Sequence, residues 1–563
     1  VPQSDYVYLA ALPTFMTSVG AIRDGRRITY DQMQEQLRRE ILDLSASFDF
    51  SRRTERTELV VRGSGSDLDE SRKALDWMET VLFSPDLSEA NLPRIRDAID
   101  AALGGLRNRM RGSEESWVND PAAAYWKQDN PLLLTTSSFL TRTHAYHRLR
   151  WQLKQLPEGP ALDELSSFVE GYLAYAADRR NREELSDLLG ALGSHLEGGA
   201  TADSTDLKAS LEKYPLTDEA RVLARDAVED LRLMLGGIPD ETLASDWHYL
   251  CGQIMSDLAV PPAAVLGSVN GILDRIRHQD NVRSFAITND ELLEELRPRL
   301  ESMVGRFDSG VSERVTLTRR PNVVNRLRER FPDLEWPTFV GLVNPGSRTG
   351  VHINSAPCAS LVDSDRDTLL NFVAGRIYGG GGAHSMFMKT WSAGLAYSNG
   401  LRASEYAGRM SYYAERCPDL SQTMQFVVNE LKNAPYDPSL ADYAIAQAFT
   451  TVRSGGRYEN RGESMASDLA DGVTPEKVRQ FRQGVLELRE VPNLYDELHN
   501  RMVNSYARVL PGLGGSVKNA EGALFFVIGP EAQMESYEEY LRSVEGADTK
   551  LYRLYPRDFW LVE

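Results

Sequence analysis

The stretch YGGGGAHSMFMKTWSAGLAYSNGLR, Tyr378 to Arg402, organises the rest of the chain. It follows an apolar, helix-periodic run, Leu369 to Ile377 (LLNFVAGRI), and passes through a short turn and helix into a strand-like segment, Gly394 to Leu401. Glycine tolerates positive φ and lets a second backbone come close. Gly379, Gly380, Gly381 and Gly382 therefore suit a loop that turns sharply or admits an extended ligand chain. Turn chemistry alone reads the same run as a flexible connection.

The order of features is more specific than the glycines: apolar helix, glycine run, Ser-Met-Phe, then Gly-Leu-Ala-Tyr-Ser at 394–398. This order resembles the C-terminal half of the pitrilysin and insulinase family of zinc peptidases, which includes presequence proteases and mitochondrial processing peptidases. The resemblance implies four related α+β units arranged as two halves that close around a cavity, with zinc in the first half. This chain matches the third and fourth units over nearly its full length. Tyr397 falls on the tyrosine that reaches across the chamber to the substrate bond. The arginine that accompanies it in the family falls on Thr390 or Trp391, and Lys389 is the nearest basic residue. The leading reading has Gly379 to Gly382, His384, Ser385 and Lys389 contact an extended peptide substrate, with a surface imidazole as the alternative at His384.

Working outward, 563 residues with 42% hydrophobic and 26% charged content are enough for large cores and at least two domains. A formal charge of −19 disfavours nucleic acid and anionic lipid, which both reward a basic surface. Cys251, Cys358 and Cys417 are odd in number and far apart, so neither a disulfide framework nor a CxxC metal site is expected. No apolar run approaches the ~20 residues of a membrane span. Val1 is expected to mark a processing or other boundary, and the sequence names no compartment.

Strands are expected at Ser45 to Phe50, Glu58 to Gly63, Ser284 to Ile287, Val351 to Pro357, Arg409 to Glu415 and Ala523 to Gly529. Helices are expected at Tyr6 to Val19, Thr29 to Leu44, Asp69 to Leu82, Asn91 to Arg111, Asp290 to Val304, Leu420 to Leu431, Leu440 to Val452 and Ala532 to Val544. From Thr135 to Asp280 the pattern is almost wholly helical, with breaks that include Pro157, Gly198 to Gly199 and Pro215. Two segments recur in order. DLDESRKALDWMETVLFSPDLSEANLPRIRDAI at Asp67 parallels DLSQTMQFVVNELKNAPYDPSLADYAIAQAF at Asp419, and RSFAITNDELLEELRPRLESM at Arg283 parallels GALFFVIGPEAQMESYEEYLRSV at Gly522. The predicted class is therefore α+β, with two related α/β-sandwich units whose antiparallel-rich sheets are covered by helices. They occupy 1–307, with a helical insertion at about 135–262, and 322–563, joined by a charged linker at 308–321. The second unit has about fifty residues before its apolar helix, whereas five precede Tyr6. The first is expected to lack its opening strand, leaving an edge for preceding polypeptide or a partner subunit.

No metal ligand set is expected in this chain. HxxEH, which puts two imidazoles and a glutamate on one helix face, is absent, as is HExxH. His144 and His147 have a permitted i, i+3 spacing, but no acidic ligand lies beside them in sequence, and the helix reads as a solvated, Arg-rich one. The leading expectation is the non-zinc half of a metalloendopeptidase, acting on extended peptide with an HxxEH-bearing half or subunit that supplies zinc. The alternatives are a non-catalytic scaffold or receptor subunit of the same fold, and a self-sufficient enzyme, for which no constellation is visible.

Overall fold

The computed structural model describes residues 1–198, 211–310, 315–451, 456–518 and 520–562. Gly199, residues 311–314 of the expected linker, and Val452 at the expected end of a helix lie outside these residues.

The architecture is α+β, with antiparallel-rich sheets covered by helices. Near the start, β1 (Ala21–Arg23) and β2 (Arg26–Ile28) form a hairpin around Asp24 and Gly25. Both turn residues have positive φ, 52° and 71°, the geometry whose twist matches paired strands. β3 (Asp43–Phe50) and β4 (Thr57–Ser64) then pair antiparallel, with Phe48 opposite Leu59 and Ala46 opposite Val61. These four residues pack on a core that includes Phe15 and Ile99. The expected Tyr6 to Val19 helix is two short helices, Tyr6–Leu9 and Leu12–Thr17.

The larger sheet contains β5 (Phe339–Val343), β6 (Gly350–Pro357), β7 (Ser398–Ser404), β8 (Arg409–Cys417), β9 (Leu524–Gly529) and β10 (Tyr552–Leu554), in the order β10-β5-β9-β6-β8-β7. β10, β5 and β9 run parallel, and the remaining pairs are antiparallel. Along β9 the side chains alternate between two cores. Phe525 and Val527 join Phe372, Tyr412 and Met424, whereas Phe526 and Ile528 join Trp117, Tyr125 and Phe139. With both faces covered, β9 reads as an unbroken apolar run, as central strands do. The apolar contacts thus pass from the first part of the sequence to the second.

The recurring segments begin alike. Asp67 accepts a hydrogen bond from the Glu70 N–H at 2.9 Å to cap the helix Leu68–Phe83, and Asp419 accepts one from the Gln422 N–H at 2.8 Å to cap Leu420–Lys432. Each carboxylate satisfies an orphan donor and faces the positive end of its helix. The segments at Arg283 and Gly522 part company, however. ALFFVIG supplies the buried β9, but Ser284 to Ile287 has no regular secondary structure and no strand neighbour among the described residues, and Phe285 is 40% exposed.

The helical region packs around Leu189, Leu231 and Trp247. At its base the buried Asp230 accepts hydrogen bonds from Arg107 (2.9 Å), Arg150 (2.6 Å) and the Trp151 indole N–H (2.9 Å). The helix Phe139–Gln152, read from sequence as solvated, is instead lodged in the interior. His144 stacks on Trp560 at 4.8 Å, and burial pushes the pKa of both His144 and His147 down, that of His147 to about 4. Among the described residues no single helix is long and apolar enough to cross a membrane.

Candidate functional site

The glycine run closes on its own protein. Gly380 has φ 77°, and a Cβ there would lie 2.1 Å from the Gln447 amide nitrogen and 2.5 Å from the Tyr443 hydroxyl. A Cβ on Gly379 would meet the Leu401 carbonyl oxygen at 3.0 Å, and one on Gly382 would meet the His384 ring at 2.7 Å. These glycines allow the loop to settle on the helix Ser439–Thr451. Gly381 alone of the four has open space around it.

His384 sits edge-on to Tyr443, ring centroids 4.5 Å apart, and burial lowers its pKa below the ordinary value. Ser385 is fully buried and caps the helix Met386–Ser392 by accepting from the Met388 N–H at 3.3 Å. Lys389 is held 2.6 Å from Glu430 on the helix Leu420–Lys432. The residues named from the sequence therefore divide. His384 stays with the glycines, Ser385 has a local structural task, and the charge of Lys389 is engaged on a neighbouring helix.

Tyr397 lies just before β7, the end strand of the sheet, with 60% of its surface exposed. Its backbone N–H donates to the Glu415 carbonyl oxygen at 3.1 Å, extending the β7–β8 ladder by one residue. Since Ser398 faces Glu415, Tyr397 comes level with Arg416, whose guanidinium lies 4.7 Å from the ring centroid. Arg416 has φ 55°, a left-handed conformation that costs a side-chain-bearing residue about 1–2 kcal/mol. The anchors are external: its N–H donates to Glu114 at 2.7 Å and its guanidinium to Glu115 at 3.0 Å. A cation held over an aromatic face contributes roughly 0.5–1 kcal/mol when exposed.

Arg416 is the functional candidate that the sequence reading missed. It comes from the partner strand, and the signal that finds it is the hairpin register counted back from the turn between β7 and β8. Together the phenol and guanidinium form a donor pair that suits a carbonyl oxygen or developing negative charge. Beside them Glu415 is buried, which raises its carboxyl pKa, and its Oε2 has no hydrogen-bond partner among the described residues.

No family model and no curated protein matches the sequence. Solved structures similar to the chain include the peptidase M16 inactive domain from Pseudomonas fluorescens, at 11% identity and TM-score 0.34, covering 92% of this chain and 88% of that one. A protease from Helicobacter pylori is similar at 10% identity and TM-score 0.41, covering 93% and 90%. The first half of the periplasmic protease PqqL from Escherichia coli is similar at 8% identity and TM-score 0.46, covering 98% and 90%.

Proposed function

We propose that this chain forms the half of a pitrilysin- or insulinase-like metalloendopeptidase that does not hold the zinc. In this reading it closes a peptide-degrading chamber against an HxxEH-bearing half or subunit. Extended peptide lies along the outer edge of β7, which has no strand neighbour among the described residues, and joins the sheet through main-chain hydrogen bonds. Tyr397 donates its hydroxyl to the carbonyl oxygen of the bond being cut, its ring held under Arg416, whose charge is shared with Glu115. Such donors count most where charge develops in the transition state. The observation that carries the reading is an exposed phenol held beside a guanidinium at the open end of the sheet. In this reading the zinc is held by the HxxEH-bearing partner; among the described residues no three His, Cys, Asp or Glu side chains converge.

The test is turnover of the reconstituted complex. Tyr397→Phe lowers kcat by about 10²-fold with little change in KM or thermal stability. An unaltered kcat in the folded variant removes the role. A second reading, a non-catalytic scaffold or receptor subunit, is favoured by the engagement of Lys389 with Glu430, which leaves no free cation before Tyr397 at the place the family uses. Co-purification separates the two. A partner with HxxEH, stoichiometric zinc and peptide cleavage supports the first, and a zinc-free complex without cleavage supports the second.

A further inference from the structure

A cavity of about 430 Å³ lies against β3, between Ala46 to Phe50 and the helical residues that follow Arg109. Arg52, Arg109 and Arg142 all line it, arriving from widely separated parts of the sequence. In a chain of net charge −19, three guanidinium groups in one hollow run against the overall balance. None of the three makes an ion pair with a carboxylate among the described residues, and the Arg142 Nε is buried without a partner. The Arg52 guanidinium lies over the Phe50 ring at 4.8 Å and that of Arg109 over Phe139 at 5.3 Å. Trp117 also lines the cavity. It is 2% exposed, and its indole N–H, which can only donate, has no acceptor among the described residues. A buried donor left unmet costs about 1–3 kcal/mol.

We infer that this cavity is a binding site for a compact oxyanion, a carboxylate or a phosphate, gripped by Arg52, Arg109 and Arg142 with the Trp117 N–H as a further donor. Guanidinium forks match such groups with paired hydrogen bonds, and the cavity has the size of a small-ligand pocket. Two carboxylates also line it. Glu115 accepts from Arg416 through Oε2 at 3.0 Å, and its Oε1 is buried without a partner among the described residues. Asp120 accepts from the Phe139 N–H at 3.2 Å, and burial raises its pKa to about 6 against the opposing pull of Arg109, Arg52 and Arg142. Neither cancels the three cations. Through Glu115 and Arg416 the cavity adjoins Tyr397, but the inference does not depend on catalysis.

The test is calorimetric titration of the full chain with inorganic phosphate, with a hexapeptide ending in a free carboxylate, and with the same peptide amidated. At least one of the first two binds with unit stoichiometry. Arg142→Gln weakens it tenfold or more, the exposed Arg109→Gln weakens it about threefold without affecting the fold, and Tyr397→Phe leaves it unchanged. Tighter binding of the free acid than of the amide identifies a peptide terminus as the source, whereas binding of phosphate alone identifies a phosphate group. No binding of either probe, or equal binding by wild type and a folded Arg109→Gln, overturns the site.

Discussion

The β3–β4 hairpin and the β7–β8 pair of the six-stranded sheet each lead into one of the recurring helices, but the two sheets are completed to different degrees. In the larger sheet the ALFFVIG strand slots between β5 and β6, with every residue of Leu524–Gly529 buried. Near the hairpin, the parallel segment Ser284 to Ile287 finds no strand on either side and stays irregular. Side chains hold it instead. Arg283 binds Glu58 at 2.7 Å and the Ala466 carbonyl at 3.0 Å, and Ile287 presses on Gly462, where a Cβ would approach to 2.7 Å. The helix Tyr458–Ala470 thus anchors an apolar segment that a ladder would otherwise hold. Strand preference expresses a fit to neighbours, and without a strand neighbour the same residue types stay irregular.

The contrast is sharpest at matched phenylalanines. Phe526 is fully buried, its ring 6.2 Å from that of Tyr125, whereas Phe285 is 40% exposed. Phe526→Ala therefore lowers unfolding free energy by about 3–5 kcal/mol, and Phe285→Ala changes it by less than about 0.5 kcal/mol. Denaturant titration of both variants measures the difference. Equal losses would mean that the isolated segment is packed as tightly as a central strand.

A smaller effect attaches to Asp471, which ties the hairpin turn to the second region. Its Oδ1 accepts from Thr54 at 2.7 Å and Arg56 at 2.9 Å, and its backbone carbonyl accepts from Arg53 at 3.0 Å. Asp471→Ala should cost about 1–2 kcal/mol, because Arg56 keeps Asp49 and Glu58 as partners. Burial by itself raises the Asp471 pKa, but the bonds from Arg56, Thr54 and Ser51 outweigh it and hold the carboxyl below its ordinary value. The folded form then binds its proton less readily than the unfolded chain. The stabilisation is complete above the ordinary carboxylate range and is lost as pH falls through the depressed value. Thermal scans between pH 2 and 6 should show a shallower acid-side fall for the variant than for wild type, and parallel profiles would remove Asp471 from that fall.

Where neighbours in sequence decide structure, the chain was legible. The helices after β4 and β8, the β3–β4 pair and the strands β6, β8 and β9 follow from local pattern and turn chemistry. β5 was not anticipated, since Gly341 interrupts its apolar run and Pro337 stands just before it. β10 has three residues, too few for a period. The Asp24-Gly25 turn is a strong hairpin signal, but its flanking strands are equally short. At the candidate site Tyr397 was visible through its local motif. Arg416 was not, because it arrives across a strand pair, and Arg52, Arg109 and Arg142 meet only after folding. Ser284 to Ile287 taught the reverse lesson: its residues suit a strand, and the missing partners decided otherwise.

The smallest effect concerns the two ends of this comparison, the donor pair at β7 and the three cations that line the cavity against β3. At the cavity a carboxyl titrates near neutrality. Arg52, Arg109 and Arg142 face Asp120, the Phe139 N–H bonds to it, and Glu115 shares the cavity. Burial raises the Asp120 pKa to about 6, so the group is largely neutral at pH 5 and ionised at pH 7. An ionised Asp120 competes for the guanidinium groups and repels an incoming anion, so affinity falls as pH rises through that value. Sulfate keeps its charge across this range and is the appropriate probe. Its dissociation constant should rise at least about threefold from pH 5 to pH 7, the scale of one screened charge interaction. Asp120→Asn, which retains an acceptor for the Phe139 N–H, should bind at pH 7 as wild type does at pH 5. A pH-independent wild type would place Asp120 too far from the anion to oppose it, and an Asn variant that kept the slope would assign the titration to another group.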